Sequence, residues 1–362
     1  MKAGLCIVRH VPCVVAMSPG RQGVGFSDMR GNMRVVLVLL MSLGLAGCWI
    51  NDHTRHRAID LEFNGGPVNT ANYFAALHMC NIVNRYSDGK YNCIARPSPG
   101  PVANIDAVLS GQVEFAVSSS HQVWDAVNGA GIWEDNPQSA LQALFTVHTE
   151  SVALVVREDS DIHTLDDLRG RIVNVGFPAS PHRNSAEELL ERHGIDISDD
   201  IESRNLLHNE AAAALVAGEI EAFFSTSPPP DPDVLAASQG TDIRLIPLDN
   251  DSVRALVAET PHYSLARIPT GHYRPFDPTD EAFWTWSVDS YGTEAIVITN
   301  ALMSEEIVND VTGFVLRHLN EFRGDHPFFH DLDYDEMRDD MVAPVHPGAV
   351  GEWVPVDPWW IW

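Results

Sequence analysis

Short apolar blocks alternate with helix-like periods over residues 58–350, and this pattern predicts an α/β protein. Residues 102–109 place apolar side chains on one helical face, and Gly111 follows where a left-handed helix end is expected. Val113, Phe115 and Val117 then alternate as in a strand. Similar blocks predict strands at 61–63, 141–147, 152–156, 172–175, 220–224 and 293–299, and helices from residue 70, from 180 or 185, over 211–217 and over 305–322. Because strands and helices alternate, we expect sheets rich in parallel strands.

The N-terminal region has the features of a bacterial lipoprotein signal. Arg34 precedes an apolar run over 35–43, and Leu45-Ala46-Gly47-Cys48 matches a lipobox, whose cysteine is lipidated. The run is shorter than the ~20 residues that span a bilayer, although a short transmembrane anchor is the alternative. We therefore predict that residues 1–48 are a lipoprotein signal with an over-called extension before Met33. Residues 49–57 would be a polar tether.

The chain is strongly acidic, with 50 Asp and Glu against 23 Lys and Arg and a formal net charge of −27. Such a field repels nucleic acid and gives no long-range steering to an anionic ligand, while solubility alone also explains it. The sequence contains no His-Glu-x-x-His, Gly-x-Ser-x-Gly, Walker or Cys-x-x-Cys motif. It therefore predicts neither an enzyme nor a cofactor or metal site.

Two cysteines, Cys80 and Cys93, lie in the part of the chain expected to fold. An even pair in an oxidising compartment favours a disulfide, which would tie the first helix to the next strand. Two free buried thiols are the alternative.

Polar residues follow two predicted strands, where open α/β sheets bind ligands. Ser119, Ser120 and His121 come after the strand at 113–117, and Asn64, Gly65 and Gly66 end the first strand before a helix. Glycines there let the backbone approach a ligand, and a helix N-terminus offers free N–H groups. A nucleophile–base pair and a phosphate loop are both absent from the sequence around them. The residues therefore indicate a holding site rather than a reacting one.

An ordered set of motifs over residues 60–350 resembles the TAXI group of solute-binding proteins, which serve TRAP transporters. The family pattern Gly-Ser-Val-x-Asn corresponds to Gly100, Pro101, Val102 and Asn104, and its Gln-Ser-Asp to Ser119, Ser120 and His121. The likeness continues through residues 141–180, 210–224, 268–273 and 346–349.

The resemblance implies a type II periplasmic-binding-protein fold, with two lobes that close on a small solute. Lobe I would comprise 58–151 plus 294–362, and lobe II 152–293, joined by crossover strands. It also implies a lipid-anchored periplasmic protein that delivers an amino acid or carboxylate-bearing solute to a TRAP permease. The expected ligand-binding residues are Asn64, Gly65, Gly66, Tyr73, Asn104, Ser119, Ser120, His121, Ser180, Arg183 and Thr226.

Each of these residues also has a purely structural interpretation. The glycines could form a tight turn, Asn104 and His121 could cap helices, and Tyr73 could pack in the core. Arg183 could bind a ligand carboxylate or pair with a surface acid. Pro101, Ser119 and His121 depart from the family pattern, and His121 exchanges an acceptor for a group that can also donate. Two other functions stay open: a ligand-sensing lipoprotein that signals to a membrane kinase, and an enzyme on a related scaffold.

Overall fold

A computed structural model describes residues 57–68, 70–178, 180–274, 286–330 and 332–353 of the chain. The predicted signal over 1–48, its lipidation site Cys48 and tether residues 49–56 lie outside the described residues. Among the helices within the described ranges, none has the length and apolarity needed to cross a membrane.

Within the described residues, ten strands form one mixed sheet in the order β2-β1-β3-β10-β4-β7-β5-β6, with β8 added to β4 and β9 to β10. The parallel pairs are β1 with β2, β1 with β3, β5 with β6 and β5 with β7. The strands are β1 (Ile59–Asn64), β2 (Tyr91–Arg96), β3 (Phe115–Ser119), β4 (Leu141–Arg157), β5 (Ile172–Asn174), β6 (Glu202–Arg204), β7 (Ala222–Ser227), β8 (Ile243–Leu245), β9 (Ser264–Pro269) and β10 (Ser287–Asn300). The predicted α/β class is confirmed.

Helices follow most of the strands and cover both faces of the sheet. They are α1 (Ala71–Tyr86), α2 (Pro101–Leu109), α3 (Ser120–Asn128), α4 (Pro181–Arg192), α5 (His208–Ala217), α6 (Pro232–Gly240), α7 (Asp251–Glu259), α8 (Glu305–Arg317), α9 (Leu319–Asp325) and α10 (Pro347–Val350). Local sequence explains several ends. Thr70 caps α1, Ser180 caps α4 with Pro181 in its first turn, and α5 ends at Gly218 in the left-handed region (φ 73°).

Two long antiparallel strands, β4 and β10, cross the middle of the sheet side by side. Their pairing runs from Leu141 opposite Asn300 to Ser151 opposite Gly292. The apolar blocks at 141–147 and 152–156, predicted as separate strands, are therefore one strand of 17 residues. The polar residues between them do not end the strand because β10 pairs with them continuously.

The buried apolar residues form four clusters, two on each half of the sheet. Two clusters draw only on residues 61–147 and 295–349, packed against α1 and α8 on one face and α2 and α3 on the other. The other two draw only on residues 152–291, packed against α4 and α7 on one face and α5 and α6 on the other. Since no cluster crosses the centre of β4 and β10, the two halves bury separate cores.

Cys80 in α1 and Cys93 in β2 are joined by a disulfide with an S–S distance of 2.00 Å. These are the two positions for which the sequence predicts a bond. Both residues are buried in the cluster beneath α1, so the bond fastens this helix to the outer strand of the sheet.

Two details of the predicted helices are wrong. The helix expected over 305–322 is two helices, interrupted at His318, where the imidazole stacks on Tyr86 at a ring-centroid distance of 3.5 Å. Ser185 does not start a helix, because α4 already begins at Pro181. Ser185 is a buried residue in the second turn of this helix.

Candidate functional site

The centre of β4 and β10 is polar, although β4 is mostly apolar on both sides of it and β10 is mostly apolar after it. In β4 the interruption is His148-Thr149-Glu150-Ser151, and in β10 it is Gly292-Thr293-Glu294. Thr149 lies opposite Glu294, and Ser151 opposite Gly292. A side chain on Gly292 would collide with the backbone of Glu150, at 2.4 Å from its carbonyl oxygen, so only glycine allows this close approach.

Glu294 is a buried carboxyl group at this centre. It accepts hydrogen bonds from Thr149 Oγ1 at 3.0 Å to each oxygen and from Ser264 Oγ at 2.5 Å. Burial raises the pKa of Glu294 to about 7; the two hydroxyl donors oppose this change, and nearby Asp340 and Glu150 add to it. Glu294 is therefore partly protonated near neutral pH.

His148 and Glu150 lie beside it on β4. The His148 side chain is 3% exposed, and its Nε2 is 3.9 Å from Glu150 Oε1. Neither ring nitrogen of His148 has a hydrogen-bond partner in the part of the chain that the structure describes. Glu150 Oε1 accepts a hydrogen bond from Asn72 Nδ2 at 3.3 Å, which connects the site to the first turn of α1.

An open cavity of about 1150 Å³ borders these groups. One side is formed by β4 residues 146–149 and by Phe328, His330, Leu332, Glu336, Asp339 and Asp340. The other side is formed by the start of β9, residues 264–267, and by Pro228 and Pro229 after β7. Its walls thus come from both halves of the sheet, and Glu294 lies between them. The volume is somewhat larger than the ~300–1,000 Å³ that small-molecule sites usually have.

Both arginines that line the cavity form ion pairs, but several of its carboxyl groups do not. Arg254 lies 3.6 Å from Asp249, and Arg267 lies 3.0 Å from Asp289. Glu294, Asp339 and Asp340 also line the cavity, and none of them forms an ion pair with a described residue. Asp340 is exposed as a residue, yet partial burial of its carboxyl and the neighbouring Asp339 raise its pKa. The cavity wall is acidic.

None of the eleven residues expected to bind ligand lines this cavity. Ser120 lies one hydrogen bond behind it: its Oγ accepts from the Glu294 backbone N–H at 2.9 Å and donates to the His262 carbonyl at 2.7 Å. Ser119 Oγ bonds to Gln122 in the same helix. His121 stacks on His262 at a ring-centroid distance of 4.3 Å, and its Nε2 is 3.5 Å from Asp125.

The residues around the end of β1 are packed against one another. Asn104 is fully buried, and its amide donates to the carbonyls of Gly65 at 2.8 Å and Val117 at 2.7 Å, so it joins β1 to β3. A Cβ on Gly65 would lie 2.4 Å from the Tyr73 Cα, which explains glycine there; one on Gly66 would be 3.1 Å from Thr70 Oγ1. Asn64 ends β1 between β2 and β3, and Tyr73 is half-buried in the first turn of α1.

The three candidates from the second half of the sheet also have structural partners. Ser180 Oγ accepts from the Arg183 N–H at 3.1 Å as the cap of α4. The Arg183 guanidinium pairs with Glu187 and donates to Asn205 Oδ1, each at 2.5 Å. The Thr226 N–H donates to His182 Nδ1 at 2.5 Å. Most of the polar groups named here have protein partners, although Thr226 Oγ1 and Asn104 Oδ1 have none among the described residues. Ligand contact by the eleven residues stays a prediction.

Glu294, Thr149, His148, Ser264 and Asp340 were not among the predicted site residues. One signal was present in the sequence: four polar residues, 148–151, separate two apolar blocks at the crossover. Ser264 and Asp340 gave no local signal, since each is brought to the site only by the fold.

The fold and the cavity together define an α/β protein with a polar cavity beside two central strands. The chain belongs to the NMT1-like family, which matches residues 64–351. The motifs had indicated the TAXI group; the family that is shown is the NMT1-like one.

Several solved structures have a similar fold. The periplasmic aliphatic sulphonate binding protein SsuA from Escherichia coli has a TM-score of 0.41 and 14% identity over 75% of this chain and 71% of its own. A putative sulfonate-binding SsuA from Methylobacillus flagellatus KT has a TM-score of 0.46 and 14% identity, covering 83% and 82%. A ligand-binding component of an ABC-type import system from Staphylococcus aureus has a TM-score of 0.42 and 12% identity, covering 82% and 89%. At this level of similarity, no ligand is transferred to this chain.

Proposed function

We propose that the protein is an extracytoplasmic solute-binding receptor that captures a small solute and delivers it to a membrane permease. The observation that carries this proposal is the cavity at the centre of β4 and β10, which has walls from both halves of the sheet. A solute bound there would contact both halves at once, as a receptor that closes on its ligand requires.

The proposal includes two lobes, with residues 58–151 and 294–362 in lobe I and 152–293 in lobe II. The four core clusters support it, because each draws its residues from one side of these boundaries only. The connecting strands would then act as the hinge. Since the cores are separate, the lobes could move without exposing either core.

A TRAP-type permease as the partner, and a lipid anchor at Cys48, rest on the sequence motifs. A carboxylate ligand is the weakest part of that resemblance. Arg183, its expected anchor, is engaged by Glu187 and Asn205, and the acidic wall of the cavity would repel a carboxylate. We therefore do not include a carboxylate preference in the proposal.

The test is thermal unfolding of the purified full chain with a panel of amines, amino acids, organic acids and sulfonates. A true ligand at 100 times its Kd should raise Tm by roughly 5 °C. Ala266→Trp, which fills the cavity wall, should abolish the shift, whereas Ala258→Trp, on the exposed side of α7, should retain it. If no solute in the panel raises Tm, or if Ala266→Trp responds like Ala258→Trp, the proposal is wrong.

A further inference from the structure

Three carboxyl groups line the cavity with no basic partner among the described residues: Glu294, Asp339 and Asp340. The two arginines that line it are not available to them, because Arg254 lies against Asp249 and Arg267 against Asp289. Glu150 adds a fourth carboxyl next to the cavity, 3.9 Å from His148 and held by Asn72. The charge that faces a bound solute is therefore negative.

When no ligand is bound, burial raises the free-energy cost of ionising these carboxyl groups. Glu294 is almost fully buried, and this burial raises its pKa to about 7, with a smaller contribution in the same direction from Asp340 and Glu150. From β4, His148 borders the cavity, and β9 contributes the neutral Ser264. His272, His330 and Glu336 are further titratable residues of the cavity lining. A positive group placed between these carboxyls would relieve both the desolvation and the repulsion.

His148 is a second buried group beside the cavity, and it lacks a hydrogen-bond partner among the described residues. Its side chain is 97% buried and borders the cavity, and neither ring nitrogen has a hydrogen-bond partner among the described residues. Buried polar groups in proteins are nearly always paired, with a bound molecule or water if not with protein.

The site does not have the geometry of a metal centre. Within the described ranges, no three His, Cys, Asp or Glu side chains come together as metal ligands would. The cavity is instead large enough for an organic molecule, and the carboxyls are distributed over its wall. An organic cation fits this arrangement better than a bare ion does.

We propose that the solute carries a protonated amine or amidine, held by Glu294 and Asp340. This inference rests on the proposed function, since it names the ligand class of the same cavity.

The test is isothermal titration of the full chain with putrescine, agmatine, spermidine and lysine, and with succinate and glutarate as anionic probes. At least one amine should bind, and both dicarboxylates should not. Glu294→Gln keeps the shape and the hydroxyl contacts but removes the charge, so it should weaken the amine roughly 10- to 100-fold. Asp340→Asn should also lower the affinity for the amine. Glu306→Gln, on exposed α8 beside Lys90, should leave the affinity unchanged.

The protonation state gives a second readout. A cation should lower the pKa of Glu294, so amine binding near pH 7 should release protons and the measured enthalpy should differ between phosphate and Tris buffers. The affinity should fall as the pH drops below about 7. A merely structural role for Glu294 would give no proton release.

The two proposals fail in different ways. If a dicarboxylate binds and Glu294→Gln retains or improves its affinity, the amine inference is overturned while the receptor function stands. Equal amine binding by the wild type, Glu294→Gln and Asp340→Asn would also overturn it. If no probe and no solute in the thermal panel binds, the receptor function itself fails.

Discussion

The Ser120 hydroxyl lies 2.9 Å from the backbone nitrogen of Glu294 and accepts its hydrogen bond. The same hydroxyl donates to the His262 carbonyl at 2.7 Å. One side chain at the start of α3 therefore connects β10 to the segment before β9. Ser120 positions Glu294 from behind, and the carboxyl of Glu294 faces the cavity.

Ser120→Ala should destabilise the protein by about 1–3 kcal/mol, because it leaves a buried N–H and a buried carbonyl without their partner. Urea unfolding measures the change. Ser110→Ala is the matched control: its hydroxyl also bonds a backbone carbonyl, but at the exposed end of α2, and it should cost less than about 0.5 kcal/mol. Equal effects of the two substitutions would contradict the role given to Ser120.

Asn104→Asp should be among the most damaging conservative changes in the chain. It replaces an amide donor that binds two carbonyls by a buried carboxyl facing the same two oxygens. We expect a loss of about 3 kcal/mol or more, measured by thermal or urea unfolding. Asn128→Asp, whose amide donates to the Trp124 carbonyl at the surface, should cost far less. A mild effect of Asn104→Asp would contradict the link between β1 and β3.

The pH dependence of stability should have a component from His262. Burial, and then His121, lower the pKa of His262 to about 3, below its ordinary value of 6.5. The folded state therefore binds this proton less readily than the unfolded state, so His262 destabilises the protein progressively as the pH falls from 6.5 towards 3. His262→Gln should show a smaller loss of Tm than the wild type between pH 7 and pH 4. An unchanged pH profile would show that His262 does not titrate in this way.

Glu294 should change the pH dependence of stability in the opposite direction to His262. Its pKa is raised from 4.5 to about 7, so its stabilising contribution is fully present below pH 4.5 and is lost as the pH rises through 7. Without ligand, Glu294→Gln should therefore raise Tm relative to the wild type at pH 8 and change it little at pH 4.5. A constant difference at both pH values would contradict a raised pKa.

Removal of the disulfide by Cys80→Ala with Cys93→Ala should lower the free energy of unfolding by about 3 kcal/mol, as expected for a loop of this length. Urea unfolding of the double variant, compared with the reduced wild type, measures this contribution. The two should have similar stability; a double variant as stable as the oxidised wild type would contradict it.

Hydrophobic patterning was sufficient to predict the α/β class and several helices, such as the one that begins near residue 180 and the one that ends at residue 217. The pattern failed to predict strand boundaries where pairing with a neighbouring strand outweighs the local composition. The polar run 148–151 was predicted to separate two strands, yet β10 holds it within one strand.

The candidate site was harder to predict for the same reason. Ser119, Ser120 and Asn104 follow strand ends as ligand residues do, but their side chains bond to other parts of the protein. The Glu294 carboxyl is hydrogen-bonded to Ser264, 30 residues away in the sequence, and to Thr149, 145 residues away. Only the folded sheet brings these residues together.

A crystal structure of the full chain soaked with the amine that binds most tightly tests the central claim most directly. We predict that its electron density lies in the cavity, with the amine nitrogen within hydrogen-bond distance of the Glu294 or Asp340 carboxyl. Density instead against His121 and Arg183, with the cavity empty, would contradict this account and favour the site predicted from the sequence motifs.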